Sequence, residues 1–95
     1  MFVITLSYLV DVEQIDELMP AHREWLEEQY ADGVFLASGP RVPRDGGVIL
    51  AAGLPRPELE ARLSLDPFQR KQLAAYDVVE FTPRVVQPGL EALQA

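Results

Sequence analysis

Two short apolar runs constrain this chain most: Val34-Phe35-Leu36-Ala37-Ser38-Gly39-Pro40 and Gly47-Val48-Ile49-Leu50-Ala51-Ala52. Each is rich in small and β-branched residues and too short for a typical helix, so each reads as a strand. Between them, Pro43 and Asp45-Gly46-Gly47 supply turn chemistry, and the pair predicts a β-hairpin. The first strand closes on Ser38-Gly39-Pro40, a hydroxyl, a bare backbone and a fixed φ. Gly39 inside a strand pattern marks a bulge or a close approach by another group, or else Gly-Pro merely ends the strand.

The flanking segments alternate in kind. Phe2 to Leu9 has a two-residue period, with Phe2, Ile4, Leu6 and Tyr8 on one side and Val3, Thr5, Ser7 and Leu9 on the other. From Val12 to about Asp32 the apolar and aromatic positions Ile15, Leu18, Met19, His22, Trp25, Leu26 and Tyr30 recur at helical spacing. Pro20 interrupts that helix, which predicts either a kink or a short helix (Val12–Met19) followed by a longer one starting near Pro20. Gly33 stops it. Pro57 opens a second helix with Glu58 and Glu60 in its first turn and a Leu59/Leu63 stripe. Asp66-Pro67-Phe68-Gln69 starts another, to about Leu73 or Ala74, with Asp66 as the N-cap. The last strand is expected from Tyr76 to about Val86, bending or lying at an edge because of Pro83. A tail follows from about residue 87, with a helical turn near Leu90 and Leu93.

The resulting order, β-α-β-β-α-β, predicts one α+β domain over residues 1–95, a ferredoxin-like βαββαβ fold with a four-stranded antiparallel sheet and helices on one face. The inner strands nevertheless carry apolar residues on both sides, Val48, Leu50 and Ala52 against Ile49 and Ala51. A bare sheet face of that composition would be an oversized hydrophobic patch. A second copy packed sheet to sheet is the simplest cover, so a homodimer through the open sheet face is expected.

Composition narrows the chemistry. There is no cysteine and only one histidine, which removes thiolate nucleophiles, thiolate metal sites and any multi-histidine metal cluster within one chain. A net charge of −7 argues against a nucleic-acid partner, since phosphate binding needs a positive field. The N-terminus lacks a basic region and a cleavage site, and nothing is long enough to span a bilayer, so a cytoplasmic protein with no membrane partner is expected.

His22 alone has an ordinary pKa near neutrality, which makes it the first candidate for proton transfer. It sits on the apolar stripe, where a core histidine bonded to a backbone carbonyl is the competing reading. Were the helix to begin at Pro20, the positive end of its dipole would favour the neutral imidazole that a general base requires. Asp66 is the carboxylate best placed to orient it, and its capping role is compatible because a carboxylate offers about four lone-pair sites. Arg41 and Arg44 in the hairpin loop could hold an anionic substrate. Tyr8, Tyr30, Tyr76 and Trp25 read as packing residues, and Ser38 has no nucleophile-elbow context.

Pro20-Ala21-His22-Arg23-Glu24-Trp25-Leu26, Gly33 through Pro40, Gly46-Gly47-Val48-Ile49-Leu50, Asp66-Pro67-Phe68 and Val79-Glu80-Phe81-Thr82-Pro83 together resemble the YCII-related (YciI-like) family, from Phe2 to about Pro88. The resemblance implies a dimeric α+β barrel of ferredoxin-like subunits. It also implies a His–Asp pair beside the dimer interface, carried onto His22 and Asp66. Dehydrochlorination of a chlorinated hydroxyhydroquinone is an activity assigned within the family. Related dimeric barrels include muconolactone isomerases, cofactor-free monooxygenases and pure binding modules. The expectation is a homodimeric lyase- or isomerase-like enzyme acting without cofactor or metal on a small-molecule ligand, with Ser38, Gly39, Pro40, Arg41 and Phe68 contacting substrate. A non-catalytic dimer that binds a small molecule is the competing expectation.

Overall fold

The computed structural model describes residues 1–95. Its elements follow as β1 (Phe2–Tyr8), α1 (Val12–Ala31), β2 (Phe35–Pro40), β3 (Gly46–Ala51), α2 (Arg56–Leu63), α3 (Pro67–Arg70) and β4 (Ala74–Glu80), with a 3-10 turn at Glu91–Gln94. The strands form one antiparallel sheet in the order β2-β3-β1-β4. This is the ferredoxin-like α+β arrangement expected from the element order, with α2 and α3 together filling the second helical position. No helix is long and apolar enough to cross a membrane.

The alternation in β1 decides which side of the sheet is core. Phe2, Ile4 and Leu6 are buried, together with Ile49 and Ala51 of β3 and Ala74 of β4, against Ile15 and Trp25 of α1, Leu59 and Leu63 of α2, and Phe68 of α3. The opposite face carries Val3, flanked by Leu50 on β3 and by Val79 on β4, with Thr5 between Val48 and Asp77 one step along. No element of the chain packs over that row, and Val79 is half exposed.

At three places the structure decides between local expectations or corrects them. First, of the two outcomes expected at Pro20 the break into a short and a longer helix is overturned: α1 is one 20-residue helix with Pro20 inside it. Proline removes only its own N–H bond to the carbonyl four residues back, and both Pro20 and Asp16 are exposed, so water can take that carbonyl. His22 therefore lies mid-helix, and the dipole argument for its neutral form lapses. Second, of the alternatives at Gly39 the plainer one holds, since β2 ends on Gly39-Pro40; the irregularity falls between Phe35 and Ala37, leaving Leu36 as the extra residue, while Gly39 pairs in register with Val48 and has open space where a Cβ would be. The close-approach glycine is Gly46, where a Cβ would lie 1.8 Å from the Leu6 carbonyl oxygen. Third, β4 ends at Glu80 and not near Val86. It runs opposite β1 from Tyr8↔Ala74 to Phe2↔Glu80, so it stops where β1 has no more ladder to offer. Gly33 does end α1 at φ +75°, the left-handed stop that glycine allows without cost.

Candidate active site

Two local features bring His22 and Asp66 together. The α1 stripe of Ile15, His22, Trp25 and Gln29 faces inward, so the imidazole is carried into the layer between helices and sheet. Asp66 sits just before α3 and caps it, its Oδ1 accepting the Phe68 backbone N–H at 3.1 Å. With its backbone fixed by that cap, the same Oδ1 lies 2.8 Å from His22 Nδ1. Asp66 is fully buried, and its second oxygen accepts the Tyr76 hydroxyl. Burial, followed by the charge and hydrogen bond of Asp66, pushes the Tyr76 phenol far above the usual tyrosine range, so it remains a donor.

This geometry selects a tautomer. An acceptor at Nδ1 places the ring proton there and leaves the Nε2 lone pair free. Nε2 bonds to no protein group, yet no buried side-chain nitrogen or oxygen lacks a partner, so Nε2 is open to solvent. It opens into a cleft of ≈ 480 Å³ between α1, the β2–β3 hairpin and α3. The His22 ring stacks on Phe68 at 4.1 Å, with Trp25 5.7 Å away on α1. One face of the imidazole is thereby fixed and one nitrogen faces the cleft.

Of the residues singled out from sequence, His22, Ser38, Gly39, Pro40 and Phe68 line this cleft, and Asp66 lies directly behind His22. Ser38 Oγ is 2.7 Å from the Tyr30 hydroxyl. Arg41 is turned away from the cleft: its guanidinium reaches Ser7 Oγ at 3.4 Å and Asp45 Oδ1 at 3.2 Å. Arg44, its neighbour in the loop, lines the cleft instead, bonded to Asp16 at 2.6 Å, and Arg23 lines it as well. A shallower recess of ≈ 300 Å³ on the other side of the β2 end shares Ser38, Gly39, Pro40 and Val48 with the cleft. Nowhere do three His, Asp or Glu side chains converge in a way that could hold a metal.

Sequence reasoning passed over Tyr76, whose role depends on strand pairing. It shares the parity of Val78, which marks the helix-facing side, but only the Leu6↔Tyr76 register sets its hydroxyl against Asp66. Tyr8, which packs edge-on to Phe68 with centroids 6.4 Å apart, also enters the cleft wall.

No curated protein matches this sequence. Among solved structures, the chain is similar to 5-chloro-2-hydroxyhydroquinone dehydrochlorinase from Burkholderia phenoliruptrix AC1100, in complex with 2,5-dihydroxybenzoquinone. The TM-score is 0.71 at 17% sequence identity, over 85% of this chain and 93% of that one. At that identity the likeness establishes a shared fold. The YCII-related domain matches residues 1–82, most of the chain and every element from β1 to β4, and the protein is accordingly a member of the YCII-related domain family.

Proposed function

We propose that this protein is a homodimeric enzyme that removes a proton from a small aromatic or enol-type substrate, with His22 Nε2 as general base and Asp66 as its orienting partner. The observation that carries the reading is the 2.8 Å contact between His22 Nδ1 and Asp66 Oδ1, with Nε2 open to the cleft. Asp66 holds the tautomer and supplies the counter-charge for the imidazolium that forms. No cofactor is required by this chemistry. The similar fold of a dehydrochlorinase points to elimination of HCl as the reaction to try first. In the keto tautomer of a chlorinated hydroxyhydroquinone the chlorine-bearing carbon is tetrahedral. Nε2 takes an enol hydroxyl proton, the electron pair moves across the ring to form the quinone, chloride departs with the C–Cl pair, and the imidazolium returns its proton to solvent.

The dimer belongs to this proposal. The uncovered row of Leu50, Val3 and Val79 supports sheet-to-sheet pairing, and the recess shared at Ser38–Pro40 would bring a partner close to the cleft.

Chloride release from 5-chloro-2-hydroxyhydroquinone tests the reading. A general base of this kind contributes about 10²–10⁴-fold, so His22→Ala should lose that much turnover while remaining folded. Equal turnover in the variant removes His22 from the mechanism. Binding without chloride release by the wild-type chain assigns the cleft to a non-catalytic binding module.

A further inference from the structure

Cations are scarce in this chain, eight against fifteen acids. Two of them nevertheless line the His22 cleft, Arg23 and Arg44, against a single carboxylate, Asp16. Arg44 reaches in from the β2–β3 hairpin and donates through Nη2 to Asp16 Oδ1. A guanidinium has five N–H donors, so most of its hydrogen-bonding capacity remains after the bond to Asp16. Arg23 stands two helical turns beyond Asp16 on the same exposed side of α1 and makes no salt bridge. The hydrogen bond from Arg44, with the fields of Arg44 and Arg23 behind it, holds the Asp16 carboxyl below the usual carboxylate range. The remaining wall around His22 is largely apolar or aromatic, including Met19, Leu26, Tyr8 and Phe68. A flat apolar body with a negatively charged oxygen at one edge fits that distribution.

We propose that Arg44 and Arg23 form an anion subsite for an enolate, phenolate or carboxylate oxygen of the substrate, and that Asp16 is the internal anion that competes for it. The subsite rests on reading the His22 cleft as the substrate site, but it does not need His22 to act as a base. In the empty cleft Asp16 holds Arg44 at the cleft wall. An incoming anion shares or takes over that guanidinium, which favours ionised ligands over neutral ones of the same shape. Because Arg44 is partly exposed, the discrimination is moderate and falls with added salt.

The test is equilibrium binding of two ring-sized probes to the 95-residue chain. One is 2,5-dihydroxybenzoquinone, whose hydroxyls are vinylogous acids that ionise by neutral pH, and the other is uncharged hydroquinone. Arg44→Gln should weaken the anionic probe about tenfold and the neutral one by less than about twofold, with Arg23→Gln acting in the same direction more weakly. Asp16→Asn should strengthen the anionic probe, because it removes the competitor. These opposite signs separate a subsite from a structural latch, which either substitution would break alike. Equal weakening by Arg44→Gln and Asp16→Asn overturns the proposal, and so does an anion affinity indifferent to Arg44. Charge selectivity that survives in His22→Ala supports the subsite whether or not turnover was lost. A wild-type chain that binds neither probe overturns the subsite and the reading of the cleft together.

Discussion

The imidazole of His22 lies nearly parallel to the Phe68 ring, with 4.1 Å between centroids and 9° between planes. Asp66 accepts from His22 Nδ1 and from the Phe68 backbone N–H through one oxygen. One carboxylate thus sets the direction of the imidazole edge and the position of the ring it rests on. Stack and hydrogen bond together restrain both side-chain torsions of His22, so Nε2 is presented to the cleft already ordered.

Replacing Asp66 separates its two roles. In Asp66→Asn the amide oxygen can keep both Oδ1 contacts, so the chain should fold and His22 should keep its proton on Nδ1. The counter-charge for the imidazolium is gone, and turnover should fall on the order of 10²-fold or more. Ring nitrogen shifts of the single histidine, read beside chloride release, check this. Asp66→Ala should instead cost about 3 kcal/mol, because it strands the Tyr76 hydroxyl, His22 Nδ1–H and the α3 cap at once. Turnover unchanged in the asparagine variant would remove the carboxylate's charge from the mechanism.

Tyr76 gives the fold a sensitivity to alkali. Its phenol is held far above the ordinary value, first by burial and then by Asp66. The unfolded chain ionises this tyrosine near pH ~10 and the native chain does not. Its contribution is therefore fully present below pH ~10 and is lost as pH rises beyond it. Urea midpoints on either side of that pH should fall more steeply in wild type than in Tyr76→Phe. Parallel slopes would mean that the hydroxyl is not sealed against Asp66.

Asp16 behaves oppositely. Arg44 depresses its carboxyl, so the pair persists as pH drops past the ordinary aspartate value of ~3.9 and breaks only in stronger acid. A carboxyl carbon titration should place the Asp16 midpoint below that value in wild type, and closer to it in Arg44→Gln. The same midpoint in both proteins would show that the hydrogen bond does not form in solution.

Two glycines on the same hairpin should respond differently to one methyl group. Gly46→Ala drives a Cβ into the Leu6 carbonyl and forces β3 away from β1, which should cost at least about 2 kcal/mol in denaturant unfolding. Gly39→Ala meets no atom within 4 Å and should change stability by less than about 0.5 kcal/mol. A tolerated alanine at residue 46 would put the β1–β3 register in question.

What could be read from the chain divides along the range of the interactions. Asp66 was legible as a cap because Asp-Pro-Phe-Gln is a local pattern, decided by neighbours in sequence. The apolar excess of the sheet was legible from strand parity, and β1 shows it in the burial of Phe2, Ile4 and Leu6 against the partial exposure of Val3 and Thr5. Pro20 left a break and a continuous helix both open, because its penalty depends on whether the orphaned carbonyl reaches water, which only the helix's orientation decides. Arg41 and Arg44 are equivalent as letters in a loop, and the twist of the hairpin turns one toward Asp45 and the other toward Asp16. Tyr76 depended on the pairing of β1 with β4, at a separation of some seventy residues.

The double duty of Asp66 has a consequence for how this lineage can change. A chain that drifts away from aspartate at this position is penalised as α3 forms, before any substrate is offered. If the proposed turnover were given up, its descendants would still keep the acid, whereas the histidine caps no helix and is held by its contacts with Asp66 and Phe68. Among cousins of this protein, a retained aspartate beside a vanished imidazole would be the signature of one that has become a carrier.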